Sequence, residues 1–259
     1  MRCLYREKKH YCGEYLEVDI FPVFEHQRGR SKKRKPTTET QKKLNQRNAE
    51  RKLIRLLNTN FSKRDIRFDL TYSEDNLPGT PEEAQKEMQN FLRRVKRYRK
   101  KNGLPDLKYI AVTEIGKQRA RLHHHIVMNG GIDITTLAEI WGKGYTTAKP
   151  LQFDEYGIVG IAKYLVKEPI LGKRWCASRN LEQPTTTERD GKIPQYKVKQ
   201  LHDSGADNRE ELEQLYKGYA LADINPYYNE INGGYYLTVR LYKKPAPKRS
   251  RKRGTYERQ

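Results

Sequence analysis

Apolar and polar positions change period along this chain, and the changes mark out its elements. From Glu14 to Phe24 the residues alternate well enough for a strand up to Pro22. The basic run at 28–36 reads as a linker. A helix is expected over about 38–58, where Leu44, Leu53, Ile54 and Leu57 recur at helical spacing. Ile66 to Tyr72 alternates as a strand. The clearest helix covers 81–101: Thr80 offers an N-cap, Pro81 fits the first helical position and a Glu completes a capping box. Ala84, Met88, Phe91, Leu92, Val95 and Tyr98 form its apolar stripe, and Gly103 is a stop signal. Its other face is heavily basic. A strand at 108–115 leads through a polar turn into a second apolar strand, Arg121 to Met128. A short helix at 134–141, a strand at 144–150 and a helix at about 154–168, ended by Pro169, follow. Residues 172–240 mix turns with a late strand from Tyr235 to Leu241. This order of elements predicts an α+β sandwich with a mostly antiparallel sheet. There is no internal repeat and no Walker-type phosphate loop.

Charge changes the picture more than hydropathy does. Hydrophobic residues make up 35% of the 259 and aromatics 10%, with 18 tyrosines, which places the chain among globular proteins with a modest core. The formal net charge is +21, which predicts strong attraction to a polyanion, nucleic acid first. No stretch reads as a membrane-spanning helix and the start lacks an apolar signal core, so no membrane partner is expected. Cys3, Cys12 and Cys176 lack paired zinc spacing and read as free thiols of a reduced, cytoplasmic protein. Four regions are expected: an N-terminal strand, basic linker and helix (1–60), a central domain (61–170), an accessory region (171–242) and a disordered basic tail (243–259).

Half of the six histidines stand together as His123, His124 and His125. Strand alternation puts His123 and His125 on one face and His124 on the other with Leu122, Ile126 and Met128. The flanks are internal and apolar, unlike a surface histidine cluster, so metal ligation is the better reading. Glu114 ends the preceding strand, and a turn would bring its carboxylate beside the two imidazoles. Two nitrogens and a carboxylate leave coordination positions open. Such a set fits manganese or magnesium in a phosphate-handling site, with zinc also admissible.

On the helix at 154–168, Ile158, Ile161, Ala162 and Leu165 form one apolar stripe. Tyr164 and Lys167 fall outside it, three residues apart, and can lie together. A phenol titrates near pH 10. A neighbouring ammonium favours phenolate and neutralises phosphate charge, so Tyr164 is a candidate nucleophile toward phosphorus.

These residues resemble the HUH endonucleases, specifically the replication-initiator (Rep) proteins of rolling-circle plasmids, phages and integrated elements. Phe68-Asp69-Leu70-Thr71-Tyr72 looks like motif I, with Asp69 departing from its usual form. His123-His124-His125 looks like motif II, with His124 in the place of the hydrophobe, and Tyr164-Leu165-Val166-Lys167 looks like motif III. The resemblance spans about 64–170 and implies a five-stranded antiparallel sheet flanked by helices, with the histidines on a central strand. It implies metal ligation by Glu114, His123 and His125, Tyr164 as the single nucleophile and Lys167 as its assistant, with Mg2+ or Mn2+ as cofactor. It also implies nicking of single-stranded or hairpin origin DNA, a 5′-phosphotyrosyl link, a 3′-hydroxyl primer and later rejoining. Unwinding is then expected to fall to a host helicase, in a bacterial cytoplasm. Contacts to DNA are expected from Arg121, Lys163, Arg174, Trp175 and Arg179. A relaxase or a single-tyrosine transposase shares this chemistry. A non-catalytic single-strand binder would need only basic grooves and aromatics.

Overall fold

The computed structural model describes residues 4–24, 39–116, 121–153, 158–166, 172–230 and 232–245, apart from the side chains of Thr40, Lys163, Tyr164 and Ala206. The basic run at 28–36, Lys167, Cys3 and the tail beyond residue 245 lie outside the described residues.

The described strands form two five-stranded sheets in which every pairing is antiparallel. The first contains β1 (Leu4–Cys12), β2 (Tyr15–Val23), β8 (Thr185–Asp190), β9 (Tyr219–Asn229) and β10 (Gly234–Lys243), in the order β8-β1-β2-β10-β9. The second contains β3 (Ile66–Leu70), β4 (Tyr109–Ile115), β5 (Leu122–Met128), β6 (Thr146–Pro150) and β7 (Cys176–Ala177), in the order β6-β3-β5-β4-β7. The histidine strand β5 is therefore central, as expected. The other sheet is built from the two ends of the chain.

The helices are α1 (Glu39–Asn60), α2 (Pro81–Lys101), α3 (Ile134–Trp141), α4 (Val159–Leu165), α5 (Gln195–Ser204) and α6 (Arg209–Leu215). Their local signals are the expected ones where such signals exist. The Thr80 side chain accepts from the Glu83 amide at 3.2 Å, while the Glu83 carboxylate accepts from the Gly79 amide at 2.9 Å. These contacts tie down orphan amides at the start of α2. At its end Asn102 caps, and Gly103 takes a φ of 64°, which only glycine adopts without strain. Arg99 breaks the apolar stripe yet is buried, because its guanidinium donates to the carbonyls of Pro105, Asn129 and Gly130.

The layers stack around α1. On one side of the β6-β3-β5-β4-β7 sheet, α2 and α3 bury Phe68, Leu70, Ile126 and Met128 beneath Met88, Phe91, Leu137 and Trp141. On its other side, α1 and α4 pack Leu53, Ile54, Leu57, Ile158, Ala162 and Leu165 onto Ile110, Val112 and Val127. The opposite side of α1 meets the other sheet through charge. Glu17 is fully buried; Arg55 Nε lies 2.8 Å and Arg51 Nε 3.0 Å from its Oε1, and both guanidinium groups also reach Asp19. A buried ion cluster stands only when its charges are paired in this way. Burial works to raise the Asp19 carboxyl, but a hydrogen bond from His10 and the Arg51 charge outweigh it and hold it at about 2. Helices α5 and α6 cover the far face of this sheet with Val198, Leu201 and Leu212 on Leu16, Val18 and Ile20.

No described helix is long and apolar enough to cross a membrane.

Candidate metal centre

The register of three adjacent strands assembles the site. Glu114 on β4 faces His123 on β5, and His125 faces Val112 on one side and Asp69 of β3 on the other. Residues directly opposite in an antiparallel pair share a face. Glu114, His123, His125 and Asp69 therefore stand together on the side of the sheet that faces α1 and α4. The Glu114 Oε2 lies 3.8 Å from His123 Nε2 and 3.7 Å from His125 Nε2. The two imidazole rings are 4.8 Å apart, centroid to centroid, and nearly perpendicular at 83°. One ligand atom from each of the three residues falls within 4.8 Å of the other two, the arrangement of a group that could hold a metal ion.

Hydrogen bonds on the remote ring nitrogens set the tautomers. His125 Nδ1 donates to Asp69 Oδ1 at 2.6 Å, and His123 Nδ1 donates to the Arg121 carbonyl at 3.2 Å. With the proton on Nδ1, each ring turns an Nε2 lone pair toward the Glu114 carboxylate. This second layer of acceptors is the usual support of a metal-ligating histidine. The donor set therefore fits a divalent cation on its own chemistry: two imidazole nitrogens and one carboxylate, mostly buried, a set of three that leaves further coordination positions to oxygen ligands.

Asp69 is itself fixed by Arg67, whose Nε donates to Oδ1 at 2.8 Å. Burial works to raise the Asp69 carboxyl, but the hydrogen bonds from His125 and Arg67 outweigh it and hold the carboxyl below its ordinary value. The sequence pattern places Asp69 within a motif-like strand without giving it a role. The missing information was the β3–β5 register, which pairs Asp69 with His125. Across β3, the edge strand β6 pairs Thr147 with Asp69 and Lys149 with Arg67, and both β6 residues are exposed. The polar face beside the triad thus continues outward to a basic rim.

His124 points the other way. It is fully buried and held at both ends of the ring: Tyr72 Oη lies 2.7 Å from Nε2 and Thr113 Oγ1 2.9 Å from Nδ1. The Tyr72 hydroxyl also lies within reach of the Ala84 carbonyl at 3.4 Å and the Thr113 hydroxyl within reach of Met88 Sδ at 3.9 Å, so both ring nitrogens sit in a closed set of polar contacts. Burial, then the neighbouring imidazoles, push the His124 imidazole down to about 3, so it packs as a neutral ring among Tyr72 and Trp141. The end of β3 is held here by the loop after α3: Thr71 and Ser73 amides donate to the Tyr145 and Lys143 carbonyls at 2.9 Å each. Gly144 permits that approach, since its φ is 151° and a Cβ would collide with the backbone of Thr71, Tyr72 and Ser73.

Residues 65–169 match the family model of the replication-associated proteins of the ORF2 and gene-2-protein type. The matched stretch opens one residue before β3 and runs through α4, so it contains the candidate metal triad and the Tyr164-to-Lys167 segment, and omits α1 and the sheet made by the chain ends. It coincides closely with the 64–170 span that carries the motifs. No curated protein and no solved structure matches the chain.

The remaining candidates fall in different places. Tyr164 and Lys163 lie on the backbone of α4, with Ile158, Ala162 and Leu165 buried as the stripe requires; their side chains, like all of Lys167, are outside the described residues. Arg121 precedes β5 and bonds the Glu74 carboxylate at 2.5 Å and the Tyr72 carbonyl at 3.0 Å. Arg174 bonds Gln46 of α1, and Trp175 is half-buried against the core under α1 and α4. Arg179 is exposed in a turn after β7.

Proposed function

We propose that this protein initiates DNA replication by nicking one strand of an origin through Tyr164, assisted by a divalent cation, Mg2+ or Mn2+, held by Glu114, His123 and His125. The observation that carries the reading is the convergence of two Nε2 atoms and one carboxylate on a single point, inside a stretch that matches a family of replication-associated proteins. A cation bound there would supply positive charge to the scissile phosphate.

The chain's own residues account for the remaining chemistry. Asp69 and the Arg121 carbonyl accept the Nδ1 protons, so that each neutral imidazole would present its Nε2 lone pair to the cation. Tyr164 Oη attacks phosphorus and gives up its proton. The bond from phosphorus to the 3′ oxygen breaks, and that oxygen takes up a proton as a free 3′-hydroxyl. The products are a 5′-phosphotyrosyl protein and a primer terminus. Reversal by a second 3′-hydroxyl rejoins the strand, because the phosphodiester energy is kept in the covalent link. Lys167, three residues on, favours the phenolate and offsets phosphate charge. The chain's net charge of +21 supports a DNA substrate.

The test is incubation of the intact protein with labelled single-stranded and hairpin oligonucleotides and Mn2+, read by denaturing gel and peptide mass spectrometry. A covalent adduct on Tyr164, absent in Tyr164→Phe while binding persists, is expected. An adduct on another residue, or cleavage that is undiminished in chelator, refutes the assignment. Binding with no adduct under any metal leaves a non-catalytic single-strand binder.

A further inference from the structure

The outer face of α2 is the largest run of uncompensated charge in the described structure. Nine residues, Arg93 to Lys101, contain seven cations and no acid. Two of the seven are tied to backbone carbonyls, while Lys96 lies over the Tyr109 ring at 5.6 Å and Arg93 bonds the neutral Asn90. Arg99 is buried on three carbonyls, and Arg94 donates to the carbonyls of Ile140 and Trp141. The other five, Arg93, Lys96, Arg97, Lys100 and Lys101, are exposed, and none is ion-paired among the described residues. Elsewhere cations are commonly matched: Arg6 and Lys8 with Glu188, Lys108 with Glu182, Lys143 with Glu87. At about 100° per residue the five fall within an arc of about 140°, opposite the buried stripe of Ala84, Met88, Phe91 and Val95. They extend along about 12 Å of helix axis.

Helix-dipole compensation explains part of this. Cations in the last turn are stabilising, which accounts for Lys100 and Lys101. Arg93, Lys96 and Arg97 lie further back, where the effect has faded. They gain no acidic partner among the described residues in return for their mutual repulsion.

We infer that this face of α2 binds the phosphate backbone of double-stranded DNA, as a contact separate from the metal centre. Charge and shape both match. A length of about 12 Å spans three to four phosphates of one strand at about 3.4 Å of rise each. The stripe presents ammonium and guanidinium groups with no exposed aromatic among them, so it can hold phosphates but cannot stack unpaired bases. That favours duplex over single strand. The location separates the two contacts: α2 packs on the His124 side of the sheet, whereas Glu114, His123 and His125 are on the opposite side. A duplex arm held on α2 would anchor the molecule while the other side of the sheet engages a single strand.

This extends the reading of the chain as a DNA-acting protein, and its test does not depend on that reading. Binding of a short fluorescent duplex to the intact protein is followed by anisotropy in chelator, without metal or strand transfer, across a range of salt. A failed adduct assay therefore leaves this result standing, and the reverse. Each phosphate contact contributes about 0.9 to the slope of log affinity against log salt. The triple variant Arg93→Gln, Lys96→Gln, Arg97→Gln should lower that slope by about 2–3. Over a fourfold rise in salt, the unmodified protein should then lose roughly 40-fold more affinity than the variant. Glutamine keeps good helix propensity, so α2 should persist. A control that removes the same formal charge from paired cations, Arg6→Gln, Lys8→Gln, Lys108→Gln, should leave the slope near its original value. An unchanged slope in the α2 variant, an equal drop in the control, or a loss confined to single-stranded oligonucleotide overturns the inference.

Discussion

Replacing Asp69 should weaken divalent-metal binding although Asp69 is not one of the three candidate ligands. Its Oδ1 accepts the Nδ1 proton of His125 at 2.6 Å and a second hydrogen bond from Arg67 Nε at 2.8 Å, so the carboxylate is locked before any cation arrives. Two effects disappear in Asp69→Ala. The imidazole loses the acceptor that fixes its tautomer and rotation, and Nε2 loses the basicity that a carboxylate on the far nitrogen confers. Loss of such a partner typically costs about 10–100-fold in metal affinity, or about 1.4–2.7 kcal/mol at 1.36 kcal/mol per factor of ten. Asp69→Asn retains an acceptor oxygen and removes the charge, so it should fall near the lower end, about 10-fold, with Asp69→Ala near the upper. The assay is Mn2+ titration by calorimetry, checked by the electron-paramagnetic-resonance signal of free Mn2+; neither readout needs DNA or turnover. Mn2+ affinity for Asp69→Ala within about twofold of the unmodified protein would refute the claim that Asp69 supports His125, since the smallest effect expected is about 10-fold.

Two further outcomes follow from other contacts. Asp19 is held at about 2 against an ordinary 3.8, which is worth about 2 kcal/mol of folding stability. Because the folded value is the lower one, that contribution is complete above about pH 4 and is lost as pH falls toward about 2. Urea midpoints should drop across that window, and Asp19→Asn should flatten the drop; equal slopes for both proteins would show that the cluster with Arg51 and Arg55 does not hold the charge. Tyr72→Phe removes the hydroxyl bonded to His124 Nε2 and should cost about 1–3 kcal/mol in thermal unfolding. Mn2+ affinity should stay within about threefold in that variant, because His124 faces away from the triad; a larger loss would place His124 in the metal site.

What was legible in the sequence divides along physical lines. Helix α2 was readable to the residue because caps, proline and an apolar stripe all agree. The histidine strand was readable because alternation alone separates His123 and His125 from His124. Strand β1 was not: its buried positions include Glu7 and His10, so hydropathy does not alternate where burial does. Strand β8 is exposed at every residue and carries no apolar period. The role of Arg51 and Arg55 was hidden for a similar reason. On a helix wheel they read as a solvated face, and only the pairing of α1 with a sheet made from both chain ends reveals Glu17 and Asp19 opposite them. Joining β2 to β10 links residues more than two hundred positions apart, and no local pattern encodes that pairing. Asp69 needed the register of β3 on β5 for the same reason.

The two-sided character of α1 also bears on how the candidate metal centre would be approached. Its apolar side, with α4, covers the Ile110, Val112 and Val127 part of the sheet face, while Arg51 and Arg55 bind it to the other sheet. Removing one partner of a buried ion cluster is strongly destabilising, about 3–5 kcal/mol, so α1 is not a lid that lifts at small cost. Among the described residues, the polar part of that face runs outward from His125 through the half-buried Asp69 and Arg67 to the exposed Thr147 and Lys149 on the edge strand β6. On the proposed reading, a phosphate reaching Glu114, His123 and His125 comes over that basic edge. The exposed cations of α2 lie behind the same sheet and cannot serve that approach. On that reading, two separate contacts with nucleic acid, one over the β6 edge and one along α2, would both draw on the net charge of +21.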